Sequence, residues 1–378
     1  MRKLALSDEI LLKVDKAARY IGGEVNSVMK DKSAVDIRFA MCFPDVYEIG
    51  MSNLGMMILY NMFNQREDVW CERLFSPWPD LDKVMREENI PLFALESQEP
   101  IQDFDFLGIT IGYEMCYTNI LQVLDLSGIP LKSADRGEDF PIVIGGGACA
   151  YNPEPLAPFF DMFYIGEGET VYDALFDAYK ANKKAGGSRK DFLLAAAKIP
   201  GIYVPSLYEV TYKEDGTIAS FAPTADGVPE KVQKQLIIDM EKEYRAVEAP
   251  VVPHIKATQD RVTLEIQRGC IRGCRFCQAG MIYRPTRERD VETLKESARI
   301  MLKNTGHEEI SLSSLSSSDY SQLKELVNFL IEEFHGKAIN ISLPSLRIDA
   351  FALDVMSKVQ DVKKSSLTFA PEAGSQRL

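Results

Sequence analysis

Apolar positions along the chain fall into two runs of strand–helix alternation, separated by a stretch with neither period. In the first run, VDIRFAMCF (35–43) predicts a strand and NLGMMILYNMFNQ (53–65) a helix. DFDFLGITIGYE (103–114) predicts a buried strand that leads into a helix through TNILQVLDLSG. PIVIGGG (141–147) and DMFYIGEGE (161–169) predict two further strands, the second followed by a helix from about Thr170 to Lys184. Apolar strands alternating with helices make a parallel sheet covered on both faces. The fold class is therefore α/β, with a Rossmann- or flavodoxin-like domain over residues 30–187. Ahead of it, residues 1–29 form an N-terminal helical segment. There, residues 4–21 predict one amphipathic helix with Leu11, Val14, Ala18 and Ile21 on one face and Ser7 as N-cap.

Residues 188–259 read as a connector, opened by Gly186-Gly187-Ser188 and marked by Pro223, Pro229, Pro250 and Pro253. Within it, YEVTYKEDGTIASF (208–221) alternates around Asp215-Gly216 and predicts a β-hairpin. Alternation resumes over 260–378. Strands are expected at 261–267, 308–317, 338–349 and 365–374, with helices at 291–306, 320–337 and 351–364. Gly306 is the expected C-cap of the first of these helices. Four strands and three helices in this order predict an open or partial βα-barrel that stops inside its fourth unit.

The totals narrow the setting. The net charge of -13 disfavours a large nonspecific nucleic-acid surface. No apolar run reaches about 18 residues, so no membrane contact is expected, and the start has no signal-peptide core. A cytoplasmic protein is expected. Seven cysteines, three of them clustered, point to metal ligation in a reducing compartment and away from a disulfide framework.

Those three are Cys270, Cys274 and Cys277 in RGCIRGCRFCQAGMIYRPTRER (268–289). They follow the first strand of the second run, at the strand end where α/β barrels place their chemistry. Three thiolates can hold three irons of a four-iron, four-sulfur cluster. The fourth iron then has no protein ligand, and an open coordination site is where a substrate or cofactor binds. A zinc site is the competing reading; it needs a fourth ligand, for which His254 and His307 are the candidates outside the loop. Arg272, Arg275, Arg284, Arg287 and Arg289 gather positive charge here. They could offset the cluster's charge, contact phosphates, or simply be solvated.

The C-x3-C-x2-C spacing, with Phe276 before the last cysteine, resembles the signature of radical S-adenosylmethionine (SAM) enzymes. The resemblance implies that the open iron chelates the amino and carboxylate groups of SAM. One-electron reduction then yields methionine and a 5′-deoxyadenosyl radical. Phe276 resembles the residue beside the adenine. By position at the end of the second strand, Ser313 and Ser314 could offer hydroxyls to the methionine amino group, where the superfamily often has glycines, or form a turn and helix cap. Ser345 and Arg347 end the third strand, where the arginine could pair with the methionine carboxylate, and Glu372 ends the fourth and could accept from the ribose hydroxyls; a structural salt bridge is the competing reading for these charges.

In the first domain, PDVYEIGMSN carries Asp45, Tyr47 and Gly50 as D-x-Y-x-x-G directly after the first strand. It is similar to the D-x-H-x-x-G of cobalamin domains, where the histidine ligates cobalt from below. Tyrosine stands in its place, and no histidine precedes His254. Thr110, Gly145 and Gly146 lie at later strand ends, where glycine allows close approach of a bulky ligand. The competing reading is a Rossmann-like domain that keeps the architecture without the cofactor.

RYIGGEVNS (19–27), FPDVYEIGMSNLG (43–55), IGGGACAYNPEPLAPFFDMFYIGEGE (144–169) and EIQRGCIRGCRFCQAGMIYRPTRERD (265–290) together resemble a family of cobalamin-binding-domain radical SAM proteins whose own reaction is not established. The resemblance implies a four-iron, four-sulfur cluster on the three cysteines, SAM, and cobalamin. It also implies an electron donor such as flavodoxin or ferredoxin, and a substrate that is an RNA, a protein or a small molecule. A further chain or domain would complete the barrel. Methyl transfer from methylcobalamin to an unactivated carbon is the leading expectation. A methylthiotransferase-like enzyme, with a second cluster on cysteines among Cys42, Cys71, Cys116 and Cys149, is the second. A non-catalytic binding or scaffold fragment is the third.

Overall fold

The apolar runs of the first 237 residues assemble one sheet, seen in a computed structural model that describes residues 4–244, 246–347, 369–370, 374–375 and 377. Its strands are β1 (Ile37–Phe43), β2 (Val69–Phe75), β3 (Phe106–Thr110), β4 (Ile142–Gly146), β5 (Met162–Tyr164) and β6 (Ile202–Tyr203). They lie in the order β2-β1-β3-β4-β5-β6. All neighbours pair in parallel except β6, which runs antiparallel to β5. This is the flavodoxin-like arrangement that the periodicity predicts, with one added edge strand. β1 and β2 are buried at every position because helices cover both faces.

The helices of this unit are α1 (Asp8–Leu11), α2 (Tyr47–Gly50), α3 (Leu54–Gln65), α4 (Pro79–Glu88), α5 (Tyr117–Leu126), α6 (Tyr172–Ala185) and α7 (Arg189–Ala196). Asn53 caps α3 through its side chain, and Ser188 forms a full capping box with Asp191 on α7. The hairpin of β7 (Tyr208–Tyr212) and β8 (Ile218–Pro223) forms around Gly216 as expected.

The predicted helix over 4–21 is only one turn long. Ser7 does cap it, accepting from the amide of Ile10 at 3.4 Å. Lys16 then turns into the left-handed region at φ 52°, which ends any helix. The break lets Arg19 reach the carboxylate of Glu48 at 2.8 Å in a buried pair. A burial pattern of Leu6, Ile10, Val14 and Tyr20 replaces the helical stripe.

The second unit comprises Ile238–Val252 and the chain from Gln259 onward, while Pro253–Thr258 belongs to the first. Its parallel sheet has the order β13-β12-β9. These are β9 (Val262–Glu265), β12 (Glu309–Ser313) and β13 (Asn340–Ser342). Between β9 and β12 lie the short antiparallel pair β10 (Gln267–Arg268) and β11 (Arg287–Glu288), and helices α8 (Ala279–Ile282) and α9 (Val291–Thr305). Gly306 ends α9 with φ 71°, as predicted. α10 (Leu323–Glu333) follows β12. The strand expected over 338–349 is two short ones, β13 and β14 (Leu346–Arg347), because Ser345 takes φ 59° after Pro344. β14 pairs in parallel with β15 (Phe369–Ala370). The helix expected at 351–364 lies outside the described residues.

Candidate active site

The cysteine loop leaves the carboxyl end of β9 and returns through α8. Its two stems are zipped by the β10–β11 pair, Gln267 opposite Glu288 and Arg268 opposite Arg287. Gly269 makes the entry possible. It sits at φ 83°, and a Cβ there would meet the carbonyl oxygens of Pro285 and Tyr283 at 2.7 and 2.8 Å, so no other residue fits. Buried Arg287 donates to the same two carbonyls, at 3.0 and 3.2 Å. Arg284 donates to the carbonyl of Arg272 at 2.6 Å, and Arg272 pairs with Asp319 at 3.0 Å.

On this stapled base the cysteines face outward. Cys270 is half-buried; Cys274 and Cys277 are exposed, and none forms a disulfide. The Arg272 amide approaches the Cys270 sulfur at 3.5 Å, and the Cys277 amide closes a turn on Cys274 at 3.1 Å. Among the described residues, no three Cys, His, Asp or Glu side chains gather as the ligands of one ion would. A cubane asks for something else, since its three thiolates bind three different irons and stand further apart. Three accessible soft thiols without a fourth ligand fit that group. Each candidate histidine has a partner of its own: the His254 ring bonds the carbonyl of Gly22 at 3.1 Å, and His307 lies 3.6 Å from Asp260.

Phe276 stands 89% exposed beside the last cysteine. Ser313 ends β12 and its carbonyl accepts from Ile266 at 3.0 Å. The Ser314 hydroxyl accepts from the Ser316 amide at 3.0 Å, so it organises the turn after β12. Gln267 clamps the same turn from the other side, donating to the Ser316 carbonyl at 2.7 Å. Ser345 is exposed, and Arg347 takes part in β14. Glu372 lies outside the described residues. Of the five loop arginines, Arg287 and Arg289 are buried, which removes them from any phosphate-contacting role. Arg289 stacks over the Tyr244 ring at 4.3 Å.

The first unit carries a second candidate site. In the order β2-β1-β3 the winding reverses between β1 and β3, and open α/β sheets bind ligands outside the carboxyl ends of the strands at such a switch point. Asp45 follows β1 there, half-buried. Thr110 ends β3 in register with Gly146 of β4. A Cβ at Gly146 would meet nothing within 4 Å, so that side of the edge is open. Gly145 is different: a Cβ would strike Phe163 and Ile111 within 2.9 Å, and at Gly50 it would strike the Phe75 ring at 2.2 Å. Those two glycines serve internal packing.

Tyr47 is 1% exposed. Its hydroxyl donates to Glu24 at 2.9 Å and accepts from the His254 amide at 3.3 Å. Burial first, and then the Glu24 charge, push its phenol well above the ordinary range. Glu24 is itself ion-paired with Arg73 at 2.7 Å, and Arg73 with Glu96 at 2.6 Å, all fully buried. The tyrosine of the D-x-Y-x-x-G motif is thus part of a buried polar network and has no free face for a ligand.

Sequence reasoning passed over Tyr113. It lies in the loop after β3, 39% exposed, and its hydroxyl donates to the carboxylate of Asp45 across the switch point. That bond, together with burial and the nearby charge, pushes the phenol up to about 12. The signal was available as GYE directly after an apolar strand, beside an already suspected aspartate. Also missed were β2 and α4; the Glu72-Arg73 pair inside VWCERLF masks a strand that buries both charges.

Comparison with known proteins decides the class. Residues 264–378 match the radical SAM superfamily, and residues 55–205 match the N-terminal region of radical SAM proteins. The chain is a radical SAM protein. That superfamily uses a four-iron, four-sulfur cluster and SAM. The chain is 28% identical over 340 residues to an uncharacterised protein of Methanocaldococcus jannaschii, covering 90% of this chain and 61% of that one. It is 26% identical over 168 residues to a "Putative methylthiotransferase" of the same organism, covering 40% of this chain and 37% of that one. The chain thus spans less than two thirds of the length of either relative. Among solved structures it is similar to the radical SAM methyltransferase TsrM from Kitasatospora setae. The form with cobalamin and a [4Fe-4S] cluster gives a TM-score of 0.48 at 13% identity, over 86% of this chain and 57% of that one. The form with tryptophan and a SAM analogue gives 0.46 at 14%, over 85% and 57%. No helix among the described residues is long and apolar enough to cross a membrane.

Proposed function

We propose that this radical SAM protein holds its cluster through Cys270, Cys274 and Cys277 and uses cobalamin, bound at the switch point of the first sheet, to methylate an unactivated carbon. The observation that carries the reading is a loop with three accessible thiols and no fourth ligand, at the carboxyl end of the first strand of its sheet. When bound, the cluster supplies the electron that cleaves SAM to methionine and a 5′-deoxyadenosyl radical. When bound, cobalamin supplies the methyl group. The chain's own work is positional. Gly269 and Arg287 fix the loop, Phe276 offers a ring face to the adenine, and Ser313 and Ser345 stand at strand ends toward the methionine moiety. Arg347 and Glu372 remain proposed contacts to its carboxylate and to the ribose. At the first sheet, Asp45, Thr110 and the open space over Gly146 receive the corrinoid, while Tyr47 is taken up by Glu24.

The second reading, a methylthiotransferase-like enzyme with another cluster, draws on the 168-residue likeness. Against it, Cys42, Cys71, Cys116 and Cys149 are all buried, and burial pushes every one of these thiols up. Anaerobic reconstitution tests both. About four irons and four sulfides per chain, with bound corrinoid and a spectrum that changes on adding SAM, is the expected result. Twice that iron with no corrinoid supports the second cluster. Zinc in place of iron sinks the radical reading. An electron donor of the flavodoxin or ferredoxin type, and a substrate of unidentified class, complete the proposal.

A further inference from the structure

The D-x-Y-x-x-G loop keeps its aspartate at the switch point while its tyrosine is withdrawn into the core. Asp45 has acquired a different phenol. Tyr113 reaches over from the loop after β3 and donates to the Asp45 carboxylate. The other Asp45 oxygen accepts from the Val46 amide at 2.7 Å, which fixes the carboxylate's orientation. The two loops are tied again by Asn119, which donates to the Pro44 carbonyl at 3.0 Å. Behind Tyr113, Cys116 donates to its carbonyl at 2.9 Å. The hydroxyl is therefore held in place by its neighbours, although the side chain is 39% exposed.

Exposed apolar side chains share this edge. Ile49 follows β1, Trp78 follows β2, and Met115, 85% exposed, follows β3. Gly112 and Gly146 add open space, since a Cβ on either would touch nothing within 4 Å. A carboxylate-held phenol among apolar loops at a switch point suits a broad, flat, largely apolar ligand with one oxygen-seeking centre.

We infer that Tyr113, oriented by Asp45, supplies the axial oxygen to the cobalt of a corrinoid bound at this edge, the role that Tyr47 cannot take. This rests on the cobalamin reading above. On coordination the phenol proton passes to the Asp45 carboxylate, the phenolate oxygen bonds cobalt, and water or the corrinoid's own base leaves it. Nothing is oxidised or reduced. Asp45 is a positioning residue that also receives the proton, and Tyr113 is the ligand.

The full chain is loaded with aquocobalamin, and then with cob(II)alamin for electron paramagnetic resonance. The wild type is expected to show a base-off spectrum without axial nitrogen splitting, and a phenolate-to-cobalt band in the cobalt(III) form. Tyr113→Phe is expected to bind the corrinoid, lose that band and give the spectrum of a water-ligated or five-coordinate centre. Asp45→Asn, which keeps the hydrogen bond but not the proton acceptor, should weaken the band. Identical spectra for wild type and Tyr113→Phe, with corrinoid bound to both, overturn this inference and leave the cobalamin reading standing. Nitrogen splitting in the wild type also overturns it. Failure of the wild type to bind aquocobalamin overturns both. Circular dichroism of each variant separates these outcomes from misfolding.

Discussion

After β1, the loop through Gly50 folds its motif tyrosine inward, onto Glu24 and the Glu24–Arg73–Glu96 chain of charges. After β9, the loop through Thr286 does the opposite: backbone and arginines make the base, and the motif cysteines and Phe276 face out. Both loops leave the carboxyl end of the first strand of a parallel sheet. In one, the protein itself supplies partners for a motif side chain; in the other, the motif side chains are left for something else to engage. A buried polar group is satisfied or costly. The partners of a side chain therefore tell whether a motif position still faces a ligand, which its spacing alone does not.

The largest effect that sharpens this contrast is at the outward loop. Cys274→Ala, with Cys270→Ala and Cys277→Ala as companions, should abolish iron binding while leaving the unfolding midpoint of the apoprotein nearly unchanged. Iron and sulfide analysis beside a denaturant curve checks it; retained iron breaks the contrast. Second is the inward network. Glu24→Gln strips a buried guanidinium of one counter-ion and should cost about 3–5 kcal/mol, read as a lower urea midpoint with the cysteine loop still able to take iron.

The same carboxylate sets a pH dependence. Burial pushes the Glu24 carboxyl up, but Arg73's charge and hydrogen bonds outweigh it and hold the carboxyl below its ordinary value of 4.5. A carboxylate shifted down stabilises the fold above its unfolded value and loses that contribution as pH falls through the folded one. Stability should therefore drop below about pH 4.5, and the drop should be shallower in Glu24→Gln. Next, Gly269→Ala forces a left-handed, carbonyl-crowded position. It should cost about 1–3 kcal/mol locally and lower iron occupancy without touching the first sheet. The smallest effect is expected at Ser314, whose hydroxyl caps a turn: Ser314→Ala should change stability by about 1 kcal/mol or less. A large loss of SAM affinity there would return Ser314 to the cofactor site.

Much of the fold was legible because its strands are uniformly apolar and its helices are cleanly capped. β1, β3 and β4 lie where the apolar runs predict them, and α9 ends at Gly306. β2 escaped because buried charges break its pattern, with Glu72 paired to Arg38 at 2.7 Å. The N-terminal helix failed because Arg19 and Glu24 answer to distant partners, Glu48 and Arg73. At the site, the cysteines could be read from their spacing alone. Tyr113 could not, since its meaning depends on an aspartate 68 residues away in the chain.

The path between the two units has a consequence for modularity. The chain leaves the first unit after Ile237, returns for Pro253–Thr258, and leaves again. The returning segment is fastened by the Thr258 amide to the Glu48 carbonyl at 3.0 Å. The outgoing one gives the second unit Glu241, which caps Asp290 at 2.7 Å, and Tyr244, which lies under Arg268 and Arg289. Neither unit is a continuous stretch of sequence. A single cut after Ile237 would leave the first unit without Pro253–Thr258, and one after Thr258 would take Ile238–Val252 from the second, so no one cut yields both units whole.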